Sequence, residues 1–374
     1  MDFSSPAASQ QKSFRTGLCW GILAVTIALR AYAAGAQVQL AAPGSGLINP
    51  RAIVFSPAKG KIYAVDTSHG VVEIYADGGT RRRSVQVGAA PVSIAVNTST
   101  GRAYVANSGD GTVSVLDGDF DAVVATVPIG SQPYSIAADA ATGKVFVTHT
   151  YAGQVSVLDG ATNTATELKT GPADLIAINS RTGTIYLLGY GGAVTVLDEA
   201  SGKFSLHDIG RHAWGLTLDD STGTVYVTRI ESADLAALRA SASGAVTLSA
   251  GAIPCAIAVD GKAQTLYVAN YGDNTVAIVN AKTGLITATL PVGDRPKAIA
   301  FDPERNLVYV ANTAGNSVTV IDAKREVVVA TLPAGKSPYA LAVVPGSGRL
   351  YVANESDEQS STIVDLSAIH IPNP

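Results

Sequence analysis

The sequence predicts an all-β chain, a single β-propeller of eight four-stranded blades with seven as the alternative count. Three observations carry this. One phrase recurs eight times between Lys61 and Ser356, in forms such as Ala103-Tyr104-Val105-Ala106-Asn107 and Val308-Tyr309-Val310-Ala311-Asn312. Its anchor aromatics are Tyr63, Tyr104, Phe146, Tyr186, Tyr226, Tyr267, Tyr309 and Tyr351, spaced by 40 to 42 residues. A period of that length means stacked units, each burying its apolar face against the next. Within each period, short runs rich in Val, Ile and Tyr alternate with clusters of Gly, Asn, Asp and Pro, which are strand and turn signals. Four such strands and four turns use up about forty residues. Four antiparallel strands repeated radially make a propeller.

The elements follow in order. Residues 1–36 read as a secretory signal peptide: Lys12 and Arg15 precede an apolar run from Leu18 to Leu29, and the small residues Ala31 to Ala36 follow. A basic start, a short apolar middle and an A-x-A end are the marks of such a leader. The run is too short to span a bilayer comfortably, and Arg30 interrupts it. Cleavage is expected after Ala36, with Ala33 the second choice and an uncleaved anchor the alternative. Residues 37–374 form the propeller domain.

The seventh repeat shows the parse most plainly, with strands at Lys297 to Phe301, Leu307 to Ala311, Ser317 to Ile321 and Glu326 to Leu332. The fifth departs most. Its third strand reads Ala233-Asp234-Leu235-Ala236-Ala237-Leu238-Arg239, made of good helix formers with weak alternation, and is kept as a strand on repeat logic. The eighth repeat leaves little room for a fourth strand after Leu366. Gln37-Val38-Gln39-Leu40 resembles the fourth strand of the first repeat, so residues 37–40 are expected to complete the last blade and leave no open edge.

Bulk properties narrow the function. Apolar residues make up 47 % and charged residues 15 % of 374. That is enough for a large core and unlike a disordered chain. The formal charge is −4. Losing Lys12, Arg15, Arg30 and Asp2 with the leader brings it to −6, which disfavours a nucleic-acid partner. Of the two cysteines, Cys19 lies in the leader and Cys255 remains alone, so no internal disulfide forms. Cys255 reads as a small buried filler. No Gly-x-Ser-x-Gly, His-Glu-x-x-His, phosphate-loop, calcium-loop or Cys-x-x-Cys-His motif occurs. No cofactor and no metal site is expected.

The Tyr-Val-Ala-Asn phrase, the Asn/Gly turn after it, the Val-x-Val-Ile/Leu-Asp strand and a Gly-x-x-Pro corner resemble the YVTN-type β-propeller repeats. The resemblance covers roughly residues 47–366. It implies a secreted, periplasmic or surface-layer scaffold. Activity is left open, since members of this and neighbouring groups include binding proteins, nucleic-acid binders and lactonase-like hydrolases. Many such propellers have seven blades, against eight anchors here.

A propeller presents its fourth-to-first and second-to-third turns on one face, around the channel mouth, where ligands usually sit. The corners flanking each proline or its equivalent carry Arg51, Tyr134, His212, Trp214, Arg295, Lys297 and Tyr339, together with Val92, Asp174 and Cys255. The second-to-third turns add His149. Arg51, Arg295 and Lys297 suit a carboxylate or phosphate. Tyr134, Trp214 and Tyr339 suit a planar or sugar-like group. The competing reading makes these ordinary loop residues, with the aromatics wedged between blades. Asn107, Asn270, Asn312 and Asn354 read as turn caps. Asp117, Asp159, Asp198, Asp322 and Asp365 read as turn formers. Arg81-Arg82-Arg83 reads as a solvated loop on the opposite face.

The leading functional reading is an exported, monomeric binding or interaction protein that engages a small molecule, or a protein or cell-envelope partner, at the channel mouth. The alternative is a lactonase-like hydrolase or lyase using His149 or His212 as base. A redox propeller is disfavoured by the missing haem motif.

Overall fold

The computed structural model describes residues 26–27, 38–39, 52–76, 81–150, 152–189, 191–355 and 361–365. Every regular element among them is a β-strand. Apart from two short N-terminal strands, the strands gather into successive antiparallel sheets over residues 53–86, 91–128, 133–169, 175–208, 213–249, 254–291, 296–333 and 338–365. Below they are called sheets one to eight. Within each sheet, strands pair in chain order, and short turns join them. The first strand of each sheet lies against the first strand of the next, and that of sheet eight lies against that of sheet one.

Sheet seven shows why these residues make these strands. Pro296–Asp302, Leu307–Asn312, Ser317–Asp322 and Val327–Pro333 pair in order. The second strand, Leu-Val-Tyr-Val-Ala-Asn, is buried throughout, while the fourth is half exposed. A strand covered on both faces reads as a continuous apolar run, and an edge strand does not. The difficult stretch of sheet five is a strand, Asp234–Arg239, paired on both sides. Tertiary pairing there overrides helix propensity.

The anchor tyrosine is explained by what its hydroxyl reaches. The rings of Tyr63, Tyr104, Tyr186, Tyr267, Tyr309 and Tyr351 are essentially fully buried. The Tyr186 hydroxyl donates to the Gly223 carbonyl of sheet five at 2.7 Å. The Tyr351 hydroxyl of sheet eight donates to the Ala76 carbonyl of sheet one at 3.1 Å, and its ring lies 6.2 Å from that of Tyr75. The apolar ring fills the interface between sheets, and the hydroxyl satisfies a carbonyl of the neighbour. Basic side chains two residues before the anchor add similar ties. The Lys61 ammonium, buried, reaches the Gly118 carbonyl and the Asp121 carboxylate of sheet two, both at 2.6 Å. Arg102 reaches the Gly160 carbonyl of sheet three at 2.6 Å.

The N-terminal segment differs from expectation. Val38–Gln39 pairs with Ile176 and Ala177, in the first strand of sheet four, and not with the outer edge of sheet eight. Among the described residues, Ser361–Asp365 pairs only with Arg349–Asn354. The leader, apart from Thr26–Ile27 beside Leu341 and Ala342, lies outside the described residues, as do Arg51 and residues 366–374. Among the described residues no helix is long and apolar enough to cross a membrane.

Candidate functional site

The corner between consecutive sheets has a backbone that its sequence conceals. Ala90, Gln132, His212, Ile253, Arg295 and Ser337 all adopt left-handed φ angles of 46–58°. Left-handed geometry is uncommon outside glycine, and Ile253, β-branched, is an outlier there. One recurring bond holds it. The carbonyl of each corner residue accepts from the second-to-third turn of the same sheet at 2.9–3.2 Å. The donors are the amides of Ser108, Thr150, Ile230, Tyr271, Thr313 and Glu355. This bond is made by backbone alone, so the corner side chain is unconstrained by it.

A second device follows at once. The pairing of first and second strands slips just after the corner in sheets two, three, five, six, seven and eight, between Pro91 and Ser93, Pro133 and Ile136, Ala213 and Leu216, Pro254 and Ala256, Pro296 and Ala298, and Pro338 and Ala340. A bulge re-aims the extra residue. Here that residue is Val92, Tyr134, Trp214, Cys255, Lys297 or Tyr339. Sheet four lacks the slip. There the amide of Asp174, itself buried, donates to the Leu188 carbonyl at 2.8 Å.

The predicted site residues divide into two groups. Tyr134, Trp214 and Lys297 are half-buried at bulged positions, and His212 and Arg295 are exposed at corners. Tyr134 and Trp214 rest against one apolar cluster that includes Leu175, Ala213 and Cys255. The Arg295 guanidinium stands 5.6 Å from the centre of the Tyr271 ring, in cation–π range. His212 Nδ1 lies 2.8 Å from Glu231 Oε2 in the adjacent turn. Glu231 escaped the sequence reading, although the recurring corner-to-turn bond puts residue 230 beside His212.

Tyr339 and His149 belong to the other group. Tyr339 is buried in a separate cluster built from sheets one, two, seven and eight. His149 is fully buried, with Nδ1 2.9 Å from the Ser131 carbonyl and Nε2 2.7 Å from Ser156 Oγ. Both ring nitrogens are engaged, so it is removed from the list of bases. The reason is positional. His149 follows its anchor by three residues, as Asn107 and Asn312 do. The Asn107 amide donates to Thr112 Oγ1 and Ser114 Oγ, and that of Asn312 to Ser317 Oγ and Thr319 Oγ1. The imidazole performs the same bridge. These asparagines therefore tie the second strand to the third, beyond the turn capping expected of them. Asp117, Asp159, Asp198 and Asp322 do form turns, accepting from amides two or three residues on. Those bonds hold the carboxyls of Asp117, Asp159 and Asp198 below the usual range; at Asp198 the Ser201 hydroxyl contributes most.

His69, in the second-to-third turn of sheet one, is exposed and pairs with Asp66 at 2.9 Å, and among the described residues no three His, Cys, Asp or Glu side chains are grouped to hold a metal ion. Cys255 is buried, with Sγ 3.1 Å from the Pro296 carbonyl, a filler as expected.

Residues 211–360 match the model of a YNCE-like beta-propeller family. No curated protein matches the sequence. Among solved structures, the chain is similar to one titled Kuenenia stuttgartiensis Hydrazine Synthase. The TM-score is 0.58 at 18 % identity, covering 87 % of this chain and 97 % of that one. At that identity the likeness speaks for the fold alone. The period, the four-stranded antiparallel sheets and the family match agree: the chain is a β-propeller repeat protein.

Proposed function

We propose that this protein is an exported propeller of eight blades whose channel-mouth face binds a small ligand or an envelope partner. The observation that carries the reading is the corner itself. A backbone bond fixes its geometry, while the side chains there vary widely from sheet to sheet and include His212, Trp214, Arg295, Lys297 and Tyr134. A position needed only for folding has no reason to be so varied and so rich in binding groups. The contact between sheets eight and one, with the Tyr351–Ala76 bond across it, supports one ring of eight blades. The sequence of residues 1–36 supports export to the periplasm or cell surface, and the −6 charge argues against nucleic acid. A ring whose sheets cover one another is in keeping with a monomer.

The test is a thermal-shift screen of small anionic, aromatic and sugar-like compounds, repeated with Trp214→Ala, Tyr134→Ala and Arg295→Ala. Hits should lose at least tenfold in affinity, about 1.4 kcal/mol, in at least one variant. Hits that bind all three variants as tightly as the parent place the site elsewhere. One observation favours hydrolysis as a second reading: Glu231 orients the His212 ring as a general base requires. Turnover of a lactone panel that His212→Ala abolishes supports it, and silence of the parent across the panel removes it.

A further inference from the structure

On the opposite face, between sheets three and four, two carboxyl groups meet away from water. Asp139 follows the first strand of sheet three, Pro133–Ala138, and is fully buried. Glu199 follows the third strand of sheet four, and its side chain is 5 % exposed. The residue at its position in five other sheets is glycine or alanine: Gly118, Gly160, Ala240, Ala281 and Ala323. Only sheet one, with Asp77, also places an acid there in the sequence.

The polar atoms of this cluster do not balance while both acids are ionised. Asp139 Oδ1 accepts from the Ala141 amide at 2.8 Å. Asp139 Oδ2, both Glu199 oxygens and Ser180 Oγ lack a well-directed partner. The Asp139 and Glu199 carboxyls nevertheless lie within hydrogen-bonding range of each other and of the Thr142 hydroxyl, and Ser180 is in range of Asp139. Two carboxylates have no hydrogen to share; one carboxyl and one carboxylate do. The Lys144 ammonium, 3.2 Å from Glu199 Oε1, is the one cation paired with either carboxyl among the described residues, and it is part-exposed. Lys144 also pairs across its strand with Asp159. The other charged groups nearby turn away. Arg181 reaches the Asp220 carbonyl, and Asp198 is held in its own turn with Ser201. Sheet two contributes only the neutral Asn97, whose amide meets the Asp139 carbonyl at 3.3 Å.

We propose that Asp139 and Glu199 share one proton and form an acid-strengthened latch between sheets three and four. Lys61 and Arg102 make the corresponding ties between sheets one and two and between sheets two and three without any titrating partner pair of this kind. In sheets three and four the same tie from Lys144 ends on Glu199, and Asp139 stands beside it. Burial, then the neighbouring Asp139 carboxyl, raises the Glu199 carboxyl. The Asp139 carboxyl is lowered: burial pushes it up, but the neighbouring Glu199 carboxyl, the bond from the Ala141 amide and the nearby Ser180 hydroxyl outweigh that. A raised acid contributes stability that is complete below its unfolded value and is lost as pH climbs through its folded value. A lowered acid contributes stability that is lost as pH falls through its folded value. The latch is therefore closed between the two folded values, and weakens above the Glu199 value when both groups carry charge across a dry interface.

The experiment measures urea midpoints of the full chain and of Glu199→Gln from pH 4.5 to 8.5, with Glu199→Ala as a second variant, since alanine occupies this position in sheets six and seven. Glutamine holds the hydrogen that the shared proton supplies. The parent should lose midpoint from pH 5 to pH 8, and Glu199→Gln should lose less. The two curves should converge in acid and separate in favour of the variant at pH 8. Amide exchange at residues 142–144 and 180–183 should slow on acidification beyond its intrinsic pH dependence in the parent and not in either variant. Parallel curves across the range, or a glutamine variant weaker than the parent at pH 8, overturn the latch. If Glu199→Gln does not fold, an unaltered pH dependence in Glu199→Ala overturns it as well.

Discussion

Removing one oxygen from an anchor tyrosine tests the account of the sheet interfaces most directly. In Tyr186→Phe the ring stays in place, and the bond to the Gly223 carbonyl, 2.7 Å long, is lost. That partner belongs to sheet five, so the variant loosens one interface without opening a cavity. A net hydrogen bond contributes about 0.5–1.5 kcal/mol, and a stranded buried partner adds to the loss. Gly223 lies at a half-buried turn where water can replace the hydroxyl, which keeps the total at about 1–2 kcal/mol. With a urea m-value near 3 kcal/mol/M, the midpoint falls by about 0.5 M. Phe146→Ala gives the complementary loss. Sheet three already lacks the hydroxyl, so that substitution removes only packed ring and costs about 3–5 kcal/mol. Urea unfolding followed by fluorescence and by circular dichroism measures both. A Tyr186→Phe midpoint within error of the parent, with Phe146→Ala behaving as expected, would falsify the claim that the hydroxyl joins neighbouring sheets.

Other expectations follow from the same contacts. Lys61→Ala strands the buried Asp121 carboxylate and should cost about 3–5 kcal/mol, whereas Lys59→Ala, whose partner Asp119 is exposed, should cost less than about 1 kcal/mol; melting curves of the two separate the cases. His149→Asn restores the residue used by sheets two, six, seven and eight and should fold within about 1 kcal/mol of the parent, while His149→Ala removes the partner of the Ser131 carbonyl, leaves the Ser156 hydroxyl only its bond to the Ile129 carbonyl, and should lose about 1–3 kcal/mol. Burial raises the phenols of Tyr104, Tyr186, Tyr267 and Tyr309 and pushes Tyr226 up to about 12. A raised acid stabilises below its unfolded value and ceases to as pH passes its folded value, so the chain should lose stability above pH 10. Absorbance at 295 nm should then show the buried phenols ionising together with unfolding, and independent titration of all tyrosines near pH 10 would contradict the packing.

The fold was legible because its information is repeated. Eight anchors at one spacing outweigh a local exception such as Asp234–Arg239, where leucine and alanine favour helix but both neighbours are strands. The site was less legible, for two physical reasons. The left-handed corner normally announces itself by glycine, yet here Ala90, Gln132, Ile253 and Arg295 occupy it, because a backbone bond supplies what glycine otherwise permits. His149 drew attention as a titratable residue in a turn. Counting three residues from Phe146 would have placed it on the asparagine position and marked it as structural. Glu199 was available by the same comparison, since it stands where five other sheets have glycine or alanine. The displacement of Val38–Gln39 had no such signal: a short run alternating polar and apolar residues suits any unpaired edge equally well.

Reading residues against their repeat position separates the two roles a side chain can play in this fold. A departure that preserves the bond of its position, as His149 preserves that of asparagine, belongs to the scaffold. A departure where the bond is made by backbone, as at His212 and Arg295, leaves the side chain free for another purpose. The distinction has a measurable form. Corner variants should change recognition and leave unfolding within about 0.5 kcal/mol of the parent, the range of surface substitutions, with Ile253→Gly gaining stability by relieving its left-handed strain. Strand-end variants should do the reverse. Should Arg295→Ala or His212→Ala destabilise as much as His149→Ala, the corner side chains hold the ring together, and the case for a ligand at the mouth loses its basis.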